Sequence, residues 1–248
     1  MTLRDRLGIF VGLLVSKFSR ILNLGAGGTW PGEIALKISP NILSLLGNNV
    51  RKGIILIAGT NGKTTTSWIL ESILRKNGFS VIHNNSGANL LNGIVSAFIQ
   101  SSGIFGNKNI TDFAVFEVDE NSLAVILKYI TPNAVICLNL FRDQLDRYGE
   151  VDTVAEKWQK ALNGLPKSST VFLNADDPQI AYLGRNLSAR TVYFGINENK
   201  NNLSRLEHAA DSIFCLACRH RLHFDRIYYS HIGIWRCLNC GLKRPDPD

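Results

Sequence analysis

The run IILIAGTNGKTTT at residues 54–66 constrains this chain more than any other feature. Five apolar residues, the composition of a strand buried on both faces, pass directly into Gly59-Thr60-Asn61-Gly62-Lys63-Thr64-Thr65 and then into a helical pattern that continues to residue 76. Strand, glycine loop and helix in that order form a phosphate cradle. Glycines let backbone N–H groups reach phosphate oxygens, and the helix N-terminus adds a favourable dipole. Lys63 offers a point charge to the β- and γ-phosphates, and Thr64 offers a hydroxyl to Mg²⁺. The candidate nucleotide-binding residues are therefore Gly59, Thr60, Asn61, Gly62, Lys63, Thr64 and Thr65. The spacing departs from the general phosphate-loop pattern, because Ile57 stands where that pattern has its first glycine. A plain turn with an exposed lysine would not explain strand, loop and helix standing in register.

The alternation continues. Strands are expected at 79–83, 113–118, 134–139, 170–173 and 191–194, with helices at 88–100, 122–129, 153–162 and after Pro178. That order predicts βαβ units and an α/β fold with a mainly parallel sheet. With 248 residues, 45% of them hydrophobic, the chain is long enough for one such domain and small appendages. The apolar run at 7–22 is interrupted by Lys17 and Arg20, is too short to span a bilayer and has no convincing cleavage site. It is expected to be a helix capping the domain, with a membrane-surface helix as the alternative. The glycine-rich 25–32 reads as a loop and the stretch to 46 as amphipathic, while the polar 197–204 reads as a linker. The expected organisation is an N-terminal helical segment at 1–50, a nucleotide-binding domain at 51–212 and a small separate module at 213–244.

Carboxylates gather where strands are expected to end. Glu117, Asp119 and Glu120 follow the strand at 113–118, and Glu117 is the expected Mg²⁺ ligand alongside Thr64. Acidic residues also favour the first turn of a helix, which is expected to account for one of the three. After the next strand, Asn139, Arg142, Asp143, Asp146 and Arg147 make a segment too polar to consist of turn formers alone. The segment LNADDP at 173–178 reads equally well as a strand end, an Asp cap and a Pro-initiated helix.

Four of the five cysteines form two C-x-x-C pairs, Cys215/Cys218 and Cys237/Cys240, separated by eighteen residues. This is the spacing of a Cys₄ zinc ribbon, a closed tetrahedral shell that leaves no position for catalytic water. His220, His223 and His231 lie between the pairs and are expected to be bystanders, and the run HFDRIYYSHIGIW suits an antiparallel hairpin. Cys137 stands alone in an apolar run, and this cysteine usage fits a reducing cytoplasm. The net charge of +7 is scattered rather than massed, so even with Arg219, Arg221, Arg226 and Arg236 on the ribbon a nucleic-acid partner is permitted but not indicated.

The compact loop GTNGKTT is the form typical of Mur ligases and folylpolyglutamate synthases. It stands here with TWPGEIALKI, NNSGANLLNGIVSAF (84–98), FEVDE (116–120), LNLFRDQLDRYGEVDT (138–153), NADDP and a ribbon closing in CLNCGLKRPDPD. Together these resemble the MurT family, the ligase subunits of lipid II isoglutaminyl synthase within the Mur ligase superfamily, over essentially the whole chain. The resemblance implies an ATP-dependent carbon–nitrogen ligase of peptidoglycan synthesis, with Mg²⁺ and a structural Zn²⁺. It would amidate the D-glutamate α-carboxylate of lipid II to D-isoglutamine at the inner face of the membrane, using ammonia from a glutamine amidotransferase subunit, GatD, in a heterodimer. It further implies that Asn139 and Asp176 lie near the nucleotide, whereas Gln144 stands where many Mur ligases have a histidine and cannot titrate. Members of the family continue beyond the ribbon into a ligase domain that carries an essential aspartate, so these residues alone are expected to be an inactive fragment without that domain. The competing readings are an ordinary Mur or folylpolyglutamate-type ligase and a nucleotide-switched zinc-ribbon binding module without ligase chemistry.

Overall fold

The computed structural model describes residues 2–21, 28–84, 87–101, 111–142, 150–197, 203 and 211–248. Two compact units are present: Met1–Ala58 with Gly62–Ala134, and Gly59–Asn61 with Val135–Asp248.

The first unit runs α1 (Leu3–Ile21), α2 (Trp30–Ile38), α3 (Ile42–Gly47), β1 (Val50–Ala58), α4 (Lys63–Lys76), β2 (Val81–His83), α5 (Leu91–Ser101), β3 (Thr111–Val118) and α6 (Leu123–Ile126). Its strands lie in the order β2-β3-β1 and are parallel, with Ile54 opposite Ala114, Ala58 opposite Val118 and His83 opposite Val115. Leu56, Ile57, Ala58, Val115, Phe116 and Val118 are fully buried, as continuous apolar strands require when both faces are covered. Ile94, Val95, Phe98 and Ile99 of α5 are buried as well, and Phe98 meets Phe116 edge-on at 5.1 Å between ring centres.

Helix α1 begins earlier than its apolar run because Asp5 caps it. One carboxylate oxygen of Asp5 accepts from Thr2 N and Oγ1 (2.6 and 2.7 Å), and the other accepts from the Ser39 hydroxyl (2.7 Å). That Ser39 bond, with the Thr2 bonds, holds the Asp5 carboxyl below the usual carboxylate range. Asp5, Gly8, Gly12 and Ser16 recur at helical spacing and are buried, so α1 turns a face of small residues inward against α2 and α5. Closest approach comes at Gly32, where a Cβ would lie 1.9 Å from Asn92 O of α5; its N–H donates to Ser96 Oγ at 2.8 Å. Helix α6 is one turn long rather than the eight residues expected, because 3₁₀-type bonds at Lys128 and Tyr129 tighten the chain before Pro132.

The second unit adds β4 (Ala134–Cys137), α7 (Glu150–Leu162), β5 (Thr170–Asn174), α8 (Pro178–Leu183), β6 (Arg190–Phe194) and an antiparallel pair, β7 (His223–Tyr229) and β8 (Ile232–Arg236). Here the strand order is β4-β5-β6, with β5 and β6 parallel and Leu173 opposite Tyr193. Asp177 N-caps α8, accepting from Gln179 N (2.9 Å) and Ile180 N (3.3 Å) with Pro178 in the first turn. The hairpin is joined to this α/β layer by a shared core: Ala181 of α8 packs with Cys215, Leu222, Trp235 and Cys237, and Tyr193 of β6 borders the cluster. The mainly parallel α/β architecture expected from the alternation is what the chain adopts.

Candidate functional site

The glycine loop falls where the sequence places it, between β1 and α4. Gly62 caps α4 with φ +85° and so offers the helix start no side-chain cap. In the first unit, Thr64 Oγ1 donates to Glu117 Oε2 at 2.7 Å, and Lys63 Nζ lies 3.6 Å from Glu120 Oε2. Glu117 is buried at the end of β3, and its main chain is clasped by Asn84: Asn84 Nδ2 donates to Glu117 O (2.9 Å) and Glu117 N donates to Asn84 Oδ1 (3.1 Å). Asp119 serves the turn instead, accepting from Asn121 N at 3.0 Å. Of the three expected carboxylates, one therefore bonds within the turn before α6, whose N-cap is Ser122 and whose first turn holds no acidic residue, one pairs with the loop lysine and one pairs with the loop threonine. Thr65 is exposed.

In the second unit the loop's first residues are tied to the segment after β4. Gly59 has φ +149°, and a Cβ there would lie 2.9 Å from Leu138 Cβ, so only glycine fits without strain. Thr60 N donates to Asn139 O (3.0 Å), and the Thr60 hydroxyl both donates to Phe141 O (3.2 Å) and accepts from Phe141 N (2.9 Å). The Asn139 amide spans the Asn61 main chain, accepting from Asn61 N (2.9 Å) and donating to Asn61 O (3.1 Å). Asp176 is buried with both carboxylate oxygens engaged, one by Arg244 Nε (2.6 Å) and one by Ile196 N (2.8 Å). Burial raises its pKa despite Arg244. Arg142 pairs with Asp211, whose carboxylate also accepts from Arg142 N. Gln144, with Asp143, Asp146 and Arg147, lies outside the described residues.

Sequence reasoning missed three residues that hold this region together. Asn84 opens the run NNSGANLLNGIVSAF, but nothing local shows its amide clasping the Glu117 main chain 33 positions away. Asp177 sits in LNADDP, but its second oxygen accepts from Leu140 N at 2.9 Å, 37 positions away. His231 is fully buried, stacks 4.6 Å from Phe141 and stands 3.5 Å from Asp177 Oδ2.

The four paired cysteines converge. Their sulfurs all lie within 4.8 Å of one another, with Cys215–Cys240 at 3.6 Å and Cys218–Cys237 at 3.4 Å. A tetrahedral thiolate shell with bonds of about 2.3 Å needs sulfur separations of about 3.8 Å, so these residues can hold a metal ion. Each pair closes a knuckle of the same form: Cys215 O accepts from Arg219 N and Cys237 O from Gly241 N, and the residue after each pair has positive φ (Arg219 +61°, Gly241 +75°). The backbone bond from His220 is the main influence lowering the Cys218 pKa to about 6, whereas burial raises that of Cys215 to about 12. His220, His223 and His231 stay outside the cluster. A cavity of about 150 Å³ lies beside the first knuckle, lined by Asp152, Gln159, Gln179, Tyr182, Leu216 and Arg219.

Known proteins resemble this chain in sequence and in fold. The chain is 38% identical over 98% of its length to a Staphylococcus aureus (strain COL) protein named lipid II isoglutaminyl synthase (glutamine-hydrolyzing) subunit MurT. It is 35% identical over its whole length to the Streptococcus pneumoniae (strain ATCC BAA-255 / R6) protein of the same name. It spans 53% of the length of each. Among solved structures, a MurF ligase from Thermotoga maritima in complex with ADP matches with TM-score 0.54 at 19% identity, covering 66% of this chain and 37% of that one. A MurF from Acinetobacter baumannii also gives 0.54 at 20% identity, covering 66% and 35%. The model of the Mur ligase middle domain matches residues 57–216, from the strand that feeds the glycine loop to the first cysteine knuckle, and the chain belongs to that family.

Proposed function

We propose that this chain supplies the nucleotide-binding part of a MurT-type amide ligase, which converts the D-glutamate α-carboxylate of lipid II to D-isoglutamine. The observation that carries the reading is the similarity to proteins named for that activity, which extends over 98% of the chain and so includes the ribbon. The γ-phosphoryl group of ATP would pass to the carboxylate, giving ADP and an acyl phosphate. Ammonia from a GatD-like glutamine amidotransferase subunit would then displace inorganic phosphate, forming the C–N bond and releasing a proton. Lys63 and the N–H groups at the start of α4 are suited to hold phosphate charge during this transfer, which depends chiefly on positioning and electrostatics. Mg²⁺ bound through Thr64 and Glu117 would neutralise charge on the transferred group. Zinc is the proposed occupant of the four cysteines, in a structural role. Asn139 and Asp176 enter as residues that shape the site, since the polar atoms of both side chains are engaged by Asn61, Arg244 and Ile196.

A cytoplasmic location at the inner membrane face fits the same reading. Among the described residues no helix is long and apolar enough to cross a membrane. Leu3, Leu7, Phe10, Leu14 and Phe18 nevertheless form an exposed apolar stripe along α1, and the exposed charges of its described surface, Arg4, Arg6 and Lys17, are all basic. The test is reconstitution of the full-length gene product with its glutaminase partner, lipid II, ATP and glutamine. Amidated stem peptide and ADP should appear together, and both should vanish in Lys63→Ala. Nucleotide binding without lipid II-stimulated ADP formation would refute the reading and favour a nucleotide-switched ribbon module.

A further inference from the structure

The ribbon meets the turn between β5 and α8 through three hydrogen bonds and one close approach. Trp235 Nε1 donates to Ala175 O (3.0 Å), Gly233 N donates to Asp176 O (2.9 Å), Arg244 Nε donates to Asp176 Oδ1 (2.6 Å), and His231 faces Asp177 at 3.5 Å. That turn in turn grips the segment after β4: Asp177 Oδ2 accepts from Leu140 N (2.9 Å) and Asn174 Nδ2 donates to Leu138 O (2.9 Å). The same segment carries Asn139 and Phe141, which hold Asn61 and Thr60 of the glycine loop. A shorter route runs from the hairpin tip. The His231 and Tyr229 rings lie 4.6 and 5.8 Å from the ring of Phe141, whose main chain bonds the Thr60 hydroxyl.

We propose that the ribbon is a positioning device for the glycine loop, through which metal occupancy at Cys215, Cys218, Cys237 and Cys240 sets the affinity for nucleotide. This rests on the reading that the loop binds nucleotide. A two-stranded hairpin is marginally stable alone, and the chain on either side of this one runs directly into a cysteine knuckle. Metal binding is therefore folding free energy for the hairpin. Without it, Trp235 and His231 lose their fixed places, Phe141 loses its packing partner, and the loop residues bonded to Phe141 and Asn139 gain freedom that nucleotide must then remove. Two features argue against a ribbon that merely decorates the fold. His231 is fully buried at the tip, although neither ring nitrogen has a hydrogen bond, so its place there is maintained against a desolvation cost. Its neighbours on that side are Phe141 and Asp177, the two residues that reach the loop segment.

The test compares the metal-loaded full chain with protein stripped by a zinc-selective chelator, both in excess Mg²⁺, titrated with ATP and followed by residue-level amide exchange. Stripping should weaken ATP binding about fivefold or more, within the usual range of coupling between sites. It should speed exchange at Thr60 and Asn61, whose N–H groups are held by Asn139, and leave unchanged the Ile54 amide held by Asn133. Phe141→Ala keeps the ribbon and its metal but cuts the shorter route, so its ATP affinity should depend less on metal than that of the parent. His231→Phe, which keeps the ring stack, should bind ATP as the parent does. ATP affinity indifferent to metal, with ribbon amides deprotected, would overturn this proposal while leaving the nucleotide reading intact. Failure of the loaded protein to bind ATP at all would overturn both.

Discussion

Replacing Asn139 with alanine probes the glycine loop from behind without touching any group expected to meet phosphate. Two hydrogen bonds are lost, one from Asn61 N at 2.9 Å and one to Asn61 O at 3.1 Å. Each is worth about 0.5–1.5 kcal/mol net, and because both lie toward solvent, water can replace them, which places the pair near 1–2 kcal/mol. If the loop must hold its present shape to receive nucleotide, that energy appears as the cost of re-ordering it on binding. The expected result is ATP affinity weakened about 5- to 30-fold. Asn139→Asp should be intermediate or worse, since it keeps the acceptor for Asn61 N but sets an anionic oxygen against Asn61 O. Calorimetric titration with Mg-ATP, paired with thermal melts, separates the effects. A variant that melts lower yet binds ATP within twofold of the parent would refute the reasoning, because the clamp would then serve stability alone.

Three further outcomes are expected. Gly32→Ala drives a methyl group into Asn92 O and the Ser96 backbone, so the α2–α5 contact must open, at a cost toward the upper end of the roughly 1–3 kcal/mol of an overpacked core; chemical denaturation would show it. Asp112 is held below the usual carboxylate range, first by Arg51 and then by the Ser80 amide and hydroxyl. The folded chain therefore gives up this proton more readily than the unfolded chain, and the stabilisation is complete above roughly pH 4 and fades as pH falls further. Asp112→Asn should accordingly be less stable than the parent near neutrality, with the gap narrowing below that pH in urea titrations. Phe10→Glu on the open face of α1 should abolish sedimentation with vesicles rich in phosphatidylglycerol while leaving ATP binding unchanged; undiminished sedimentation would remove α1 from the membrane reading.

What the sequence disclosed and what it withheld follow from contact distance along the chain. The glycine loop is legible because strand, turn and helix are contiguous, and its chemistry is written in residues 59–65. The cysteine cluster is legible because metal geometry imposes a short fixed spacing within each pair. Glu117 could be placed at a strand end, yet its pairing with Thr64 spans 53 positions and emerges only from the parallel register of β1 and β3. Asn139 reads as a ligand candidate from its motif, but no local pattern shows its amide closing on Asn61 78 positions away. The ribbon reads as a separate module beyond a polar linker. Its attachment to β5, α8 and β6 depends on Trp235, Leu222 and Arg244 meeting partners that no periodicity could nominate.

Cys137 gives the chain a gauge of its own state. Its thiol is fully buried in β4, and burial pushes its pKa up, so a thiol reagent meets neither an open path nor a thiolate. Of the other four, Cys215 and Cys237 are buried in the ribbon core, while Cys218 is half-buried and Cys240 exposed. With metal in the cluster as proposed, titrating the five sulfurs separates two events that a melting curve merges: Cys218 and Cys240 become reactive when the metal leaves, and Cys137 only when the α/β layer itself opens.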